Sequence, residues 1–156
     1  MIEETAGSGR PAADVAAHVS NAQMAAKILS MPDQPFRDED YVLRVAEIRG
    51  RTSARPIQVP IAVTLVSGHQ YLISPDSGRP WARNLTVIGQ CDLLARSSRT
   101  HYLASAANPT AAIAALRCYL TKLGWAAQQF PFAADDSDER IAEQLSKVAV
   151  FRLDPA

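Results

Sequence analysis

Between Tyr41 and Ser74 three β-type runs follow one another with only short turns between them, and this spacing limits the sheet the chain can build. Tyr41 to Arg49 alternates toward a strand before Gly50 begins a turn, and Ile57 to Val66 is a second strand. Ser67-Gly68-His69 is a turn signal, so Gln70 to Ser74 returns as the other arm of a hairpin. Parallel neighbours need a crossover of roughly a dozen residues or more, usually a helix. No such alternation is sustained, so a parallel doubly wound sheet is disfavoured. Pro60 has no amide hydrogen to give a ladder, which implies an edge or bulge position in the second strand.

Cys91 to Ala95 and Thr100 to Ala104 read as a further pair of strands, and Val148 to Leu153 as the last. The helices are set among these hairpins. From Ala12 to Met31, apolar Val15, Val19, Ala22, Ala26 and Leu29 recur at steps of three and four, and Met31-Pro32 stops the run. Trp81 to Ile88 is a short helix closed by Gly89, and Asn108-Pro109-Thr110 opens a helix running to Leu123. Ser137 to Ser146 is a short helix with Ser137 as its cap. Segment 32–40 is a polar loop broken by proline, and residues 1–11 read as a disordered tail. The expectation is one α+β domain over 12–156, a mostly antiparallel barrel with helices packed outside it. An open small barrel has edges to cover, which predicts a homodimer.

Composition narrows the function classes. The chain of 156 residues carries sixteen basic and sixteen acidic side chains, a balance that argues against a general nucleic-acid binder. No apolar run approaches the roughly 20 residues that span a bilayer, so no integral membrane segment is expected. The acidic start MIEETAGSGRP lacks the basic region of a secretory signal, and Cys91 and Cys118 form neither a CxxC pair nor a zinc pattern. Two free thiols point to the cytoplasm. The charge is uneven, however. Residues 44–99 hold eight arginines against Glu47, Asp76 and Asp92, which makes the middle third either a candidate anion-binding region or a set of solvated sheet arginines.

Phosphate-binding loops, zinc-helix motifs and nucleophile elbows are missing, and His18, His69 and His101 share no ligand spacing, so no metal site is expected. Cys91 has no identifiable base beside it. Two stretches stand out. Arg49-Gly50-Arg51-Thr52-Ser53-Ala54-Arg55-Pro56 is a turn with three arginines and two hydroxyls, whose amides and guanidinium forks suit a phosphate or polycarboxylate. Trp81 and Asn84 lie three apart on one helical face, an aromatic wall and a hydrogen-bond donor for a flat heterocycle, or else an ordinary core Trp with a surface Asn.

These stretches carry a family resemblance. Residues 50–60, GRTSARPIQVP, align without a gap to the pattern G-R-[RK]-S-G-x-P-R-x-x-P; Tyr71-Leu72-Ile73 and WARNLTVIG at 81–89 follow in register, and VAVFRLDP at 148–155 ends the match. The chain resembles the deazaflavin-dependent oxidoreductases of the nitroreductase type, split-barrel proteins that use coenzyme F-420. The resemblance implies a cleft for that cofactor, with Arg51, Ser53, Pro60, Trp81 and Asn84 as contacts and Arg55 and Arg83 as nearby cations. It implies hydride transfer from the reduced ring to a small electrophilic substrate such as an enone, quinone or nitro compound, with no catalytic side chain named. Thr52, Ala54, Ile57 and Val148-Ala149 depart from the pattern, and the first and third remove cations. A non-enzymatic relative binding another amphipathic ligand or a protein partner is therefore the second reading. An FMN-binding split barrel is the third.

Overall fold

The computed structural model describes residues 12–156, with side chains from Ser20 onward apart from that of Trp125. The predicted disordered tail at 1–11 falls outside the described residues, as do the side chains of Val15, His18 and Val19.

Six strands form one closed antiparallel barrel in the order β1-β2-β3-β6-β5-β4, with four α-helices outside it among the described residues. The strands are β1 (Asp40–Arg49), β2 (Pro56–Val66), β3 (His69–Ser74), β4 (Gln90–Ala95), β5 (Ser98–Ala106) and β6 (Ala149–Pro155). The helices are α1 (Ala12–Ser30), α2 (Pro80–Ile88), α3 (Pro109–Lys122) and α4 (Asp138–Glu143). The fold class read from the hairpin pattern is correct. The ring closes where Val45–Glu47 of β1 meets Asp92–Leu94 of β4, and the open edge from which a homodimer is expected is confined to the first half of β2.

Local chemistry accounts for the boundaries. Ser67 and Gly68 both hold positive φ, 52° and 78°, the two-residue turn whose twist suits a hairpin. The Asp38 carboxylate accepts the Ser67 N–H at 2.8 Å and steadies it. β3 therefore starts at His69, one residue ahead of the Gln70 that the sequence pattern indicates. Asn108 caps α3 by accepting the Ala111 N–H at 2.8 Å, with Pro109 in the first turn. Ser137 caps α4, but that helix stops at Glu143 and a 3-10 turn over Leu145–Lys147 replaces its predicted last turn. A second 3-10 turn, Trp125–Gln129, carried no sequence signal.

Alternation along the strands splits the core. Val42, Ala46 and Ile48 of β1 meet Leu72, Leu93 and Phe151 inside the barrel, and Leu85 of α2 packs against the same cluster. Outside, Leu116 and Leu120 of α3 and Ile141 of α4 cover Tyr71, Ile73 and Val150. A third, smaller cluster seats Ala25 and Ile28 of α1 on Val45 and Leu94. The α1 stripe expected to be its core face is offset: Ala22 and Ala26 are exposed and turn to a cleft. Ala25 and Ile28 instead meet the β1–β4 face, because Val45 of β1 points outward there.

The pairing of β2 positions the site. β3 pairs only with Val63–Val66, so Pro56–Ala62 is hydrogen-bonded to β1 on one side and unpaired on the other. Pro60 sits in that free edge, as its missing amide hydrogen requires.

The turn from Gly50 to Arg55 carries a testable strain. Ala54 holds φ 59°, a left-handed position where its Cβ costs about 1 kcal/mol. Ala54→Gly is expected to raise stability by up to about 1 kcal/mol, read as a higher urea midpoint at unchanged slope. A fall in the midpoint would show that the alanine is not strained.

Candidate functional site

A cleft of about 1130 Å³ opens between α1, the unpaired half of β2 and the first turns of α2. Ala22, Ala26 and Leu29 form one wall; Ile57, Val59 and Pro60 form the floor; Arg79, Trp81 and Asn84 form the other wall. Three of the sequence-predicted site residues, Pro60, Trp81 and Asn84, are thus brought together from two elements. Arg51, Ser53, Arg55 and Arg83 do not line the cleft.

Trp81 is half-buried and belongs to both readings made of it. Its ring packs on Phe151 with centroids 5.9 Å apart and still lines the cleft. Asn84 is only 5% exposed, and its Oδ1 accepts two hydrogen bonds from Arg51, 3.1 Å from the backbone N–H and 2.7 Å from Nη1. An acceptor must face those donors, so the amide NH2 turns away from Arg51. Among the described residues that NH2 makes no hydrogen bond, and Asn84 lines the cleft. Arg51 is therefore a positioning residue: it holds the Asn84 amide across 33 positions of sequence.

The turn before β2 is largely closed on itself, against the expectation that its amides wait for an anion. The Gly50 N–H donates to Arg55 O at 2.9 Å and the Ala54 N–H to Gly50 O at 3.0 Å. Ser53 Oγ accepts the Arg55 N–H at 3.2 Å, and a Cβ at Gly50 would meet that oxygen at 2.5 Å. With the Arg51 N–H on Asn84, four amides of the turn are committed. A short turn must satisfy its own polar groups, and here it does so internally. Ile57 does not face the core: it is 38% exposed and lines the cleft beside Gly50.

Sequence reasoning missed Arg79 and the α1 wall. Arg79 is the N-cap of α2, makes no side-chain capping bond, and its Nη2 reaches Gln129 Oε1 at 3.0 Å. A cation at the positive end of a helix is electrostatically misplaced, and that signal was available in Arg79-Pro80.

Away from the cleft, the outer face of β4–β5 carries a polar ladder. Arg99 Nη1 lies 2.6 Å from Asp92 and 2.9 Å from Glu47, and His101 Nδ1 lies 2.6 Å from Asp92. His101 and then Arg99 hold the Asp92 carboxyl below its ordinary range; Arg99 and then Gln58 do the same for Glu47. Carboxyls depressed in the folded state stabilise it above their unfolded values, and that contribution is lost as pH falls through the folded ones. Stability is expected to hold near neutrality and to fall below about pH 4. Asp92→Asn should flatten that acid limb in urea titrations between pH 7 and pH 2, and an unchanged limb would exclude the ladder as its source. Cys91 is buried with its thiol pushed up to about 12 by desolvation, which removes it as a nucleophile.

Known proteins share this architecture. No protein-family profile matches the chain, and no curated protein sequence matches it. Among solved structures it is similar to a heme binding protein from Mycobacterium smegmatis, with TM-score 0.51 and 16% identity over 94% of this chain. The chain spans 52% of that protein's length. It also aligns with the General Stress Protein 26 from Bacillus anthracis str. Sterne, with TM-score 0.47 and 8% identity over 85% of this chain and 87% of that one. The likeness to the mycobacterial protein is one of fold, an antiparallel barrel with helices outside it. No helix among the described residues is long and apolar enough to cross a membrane.

Proposed function

We propose that the cleft holds a deazaflavin of the F-420 type and that the protein is a reductase of small electrophilic compounds. The observation that carries this reading is the composition of the cleft. It joins an aromatic ring to an unpartnered amide donor, and its described lining contains no carboxylate, imidazole or thiol. Such a site suits a group that brings its own reactivity. When bound in its reduced form, the deazaflavin supplies a hydride to an enone, quinone or nitro compound and is itself oxidised, with the accompanying proton drawn from solvent.

The protein's part is to bind, orient and exclude water. Trp81 gives the flat ring an aromatic wall. The Asn84 NH2 donates to a ring carbonyl, and Arg51 fixes the direction of that donation through Oδ1. Ala22, Ala26 and Leu29 close the opposite wall with small apolar groups. Among the described residues the lining offers no His, Cys, Met or Tyr of the kinds that ligate a haem iron.

The second reading, a non-enzymatic relative that binds another amphipathic ligand or a protein partner, is favoured by Thr52 and Ile57, which stand where the resembled family has cations. The proposed enzyme is cytoplasmic and works as a homodimer, which sedimentation would test. The function itself is tested by titrating the purified full chain with F-420 and with FMN, followed by fluorescence. Saturable binding of F-420, tighter than FMN, is expected. Preference for FMN would move the protein to the flavin split barrels, and binding of neither would leave the non-enzymatic reading.

A further inference from the structure

Strand β2 meets the cleft by its edge. Ile57, Gln58, Val59 and Pro60 all line it, and consecutive strand residues point to opposite faces, so four in a row meet a cleft only where it follows the main chain. The pairing fixes which way that main chain points. The β1–β2 register is continuous from Asp40–Leu65 to Arg49–Pro56, without a bulge. Leu65 O accepts the Glu39 N–H at 2.8 Å and Arg55 O accepts the Gly50 N–H at 2.9 Å, both on the β1 side. Odd-numbered residues from Arg55 to Leu65 therefore aim their N–H and C=O at β1, and Pro56, Gln58 and Pro60 aim theirs away from it. β3 pairs only from Val63 onward, so that side is free. Proline has no N–H, which leaves Gln58 as the one donor between Pro56 and Pro60. Among the described residues no turn or loop amide or carbonyl bonds the Gln58 main chain, and its side chain is tied to Glu47, whose Oε1 accepts Nε2–H at 3.1 Å.

A peptide adding to this edge as a strand needs an N–H at every second residue, and Pro56 and Pro60 withhold it. One donor with an acceptor beside it matches a small ligand instead. We infer that the main chain of Gln58 reads the lactam edge of a flat heterocycle: its N–H donates to the ligand's ring carbonyl, and its C=O accepts the adjacent ring N–H. This is the two-bond exchange that a paired residue makes in an antiparallel ladder. The inference rests on the cleft being a ligand site, as proposed above, and adds the class it selects. Cyclic amides and imides are taken over isosteres without the N–H, because such an isostere leaves the Gln58 carbonyl unpaired.

The probe is 2-quinolinone, paired with coumarin, which keeps the ring and carbonyl and has an oxygen in place of the N–H. Amide correlation spectra of the full chain should show saturable movement of the Gln58 N–H, with the lactam bound about fivefold or more tightly than coumarin. Gln58→Pro removes the donor and leaves the β1 ladder to Ile57 and Val59. It should weaken 2-quinolinone about fivefold or more beyond Gln58→Ala, which loses the same Glu47 contact and keeps the donor. Unmoved β1 amides verify that the proline variant is folded; if it is not, the two-probe comparison on the wild-type chain decides. Equal binding of the two probes, a Gln58 N–H that stays still at saturation, or a folded proline variant no weaker than the alanine one overturns the inference. A chain that pairs 2-quinolinone at Gln58 and ignores F-420 keeps this inference and loses the cofactor proposal. Binding of F-420 with coumarin and 2-quinolinone held alike does the reverse. Where both hold, displacement of 2-quinolinone by F-420 assigns the edge to the cofactor's own ring, and simultaneous binding assigns it to the substrate.

Discussion

Arg44→Ala is expected to lower stability by about 2–4 kcal/mol and the melting temperature by roughly 5–15 °C. Arg44 is 7% exposed and has no carboxylate partner among the described residues. Its Nη1 donates to Leu43 O at 3.0 Å, its Nη2 to Gln34 O at 2.8 Å, and its guanidinium lies 4.9 Å from the Phe36 ring centre. Gln34 also accepts the Leu43 N–H at 3.1 Å, so this one side chain fastens the loop before β1 to the strand. Truncation takes this donor from the Leu43 and Gln34 carbonyls and removes the packing of a long, buried stem. Arg44→Met restores the stem without the donors and should recover part of the loss. A wild-type melting temperature for Arg44→Ala would show that the loop closes without it.

The second large effect concerns the cleft. Thr52→Lys with Ile57→Arg is expected to tighten F-420 binding by about tenfold or more while leaving the fold intact. Each restored cation contributes about 1.5–3 kcal/mol if it reaches an anionic group, and about 1.4 kcal/mol is tenfold in affinity. The structure removes the main objection, since Ile57 lines the cleft and an arginine there meets solvent and not the barrel core. The gain should shrink as salt rises, because the new contacts are charges at a partly exposed site. A folded double variant with unchanged affinity would mean that the anionic tail lies elsewhere.

The barrel was legible because its signals are local. Ser67-Gly68, Asn108-Pro109 and Gly89 each fix a turn or a cap by their own backbone chemistry, and Pro60 announces the free edge of β2. Closure was not legible, because the β1–β4 seam joins Val45–Glu47 to residues far along the chain and leaves no local mark. The same limit applied at the site. Trp81, Asn84 and Pro60 stood out by type and spacing, whereas the Arg51–Asn84 contact depends on a fold that brings the turn to the helix. For α1, a helical stripe specifies that a face is apolar but not what it faces. Ala22 and Ala26 line a cleft, and one step round the helix Ala25 and Ile28 fill the core.

Amide correlation spectra of the full chain, recorded while oxidised F-420 is added, test the central claim most directly. The account predicts saturable shifts concentrated on the Trp81 indole N–H, the Asn84 side-chain amide, the cleft wall of α1 and the Ile57–Pro60 edge. Spectra that do not move at saturating cofactor, or that move instead around Arg99, His101 and Leu103 on the outer face of β5, would contradict it.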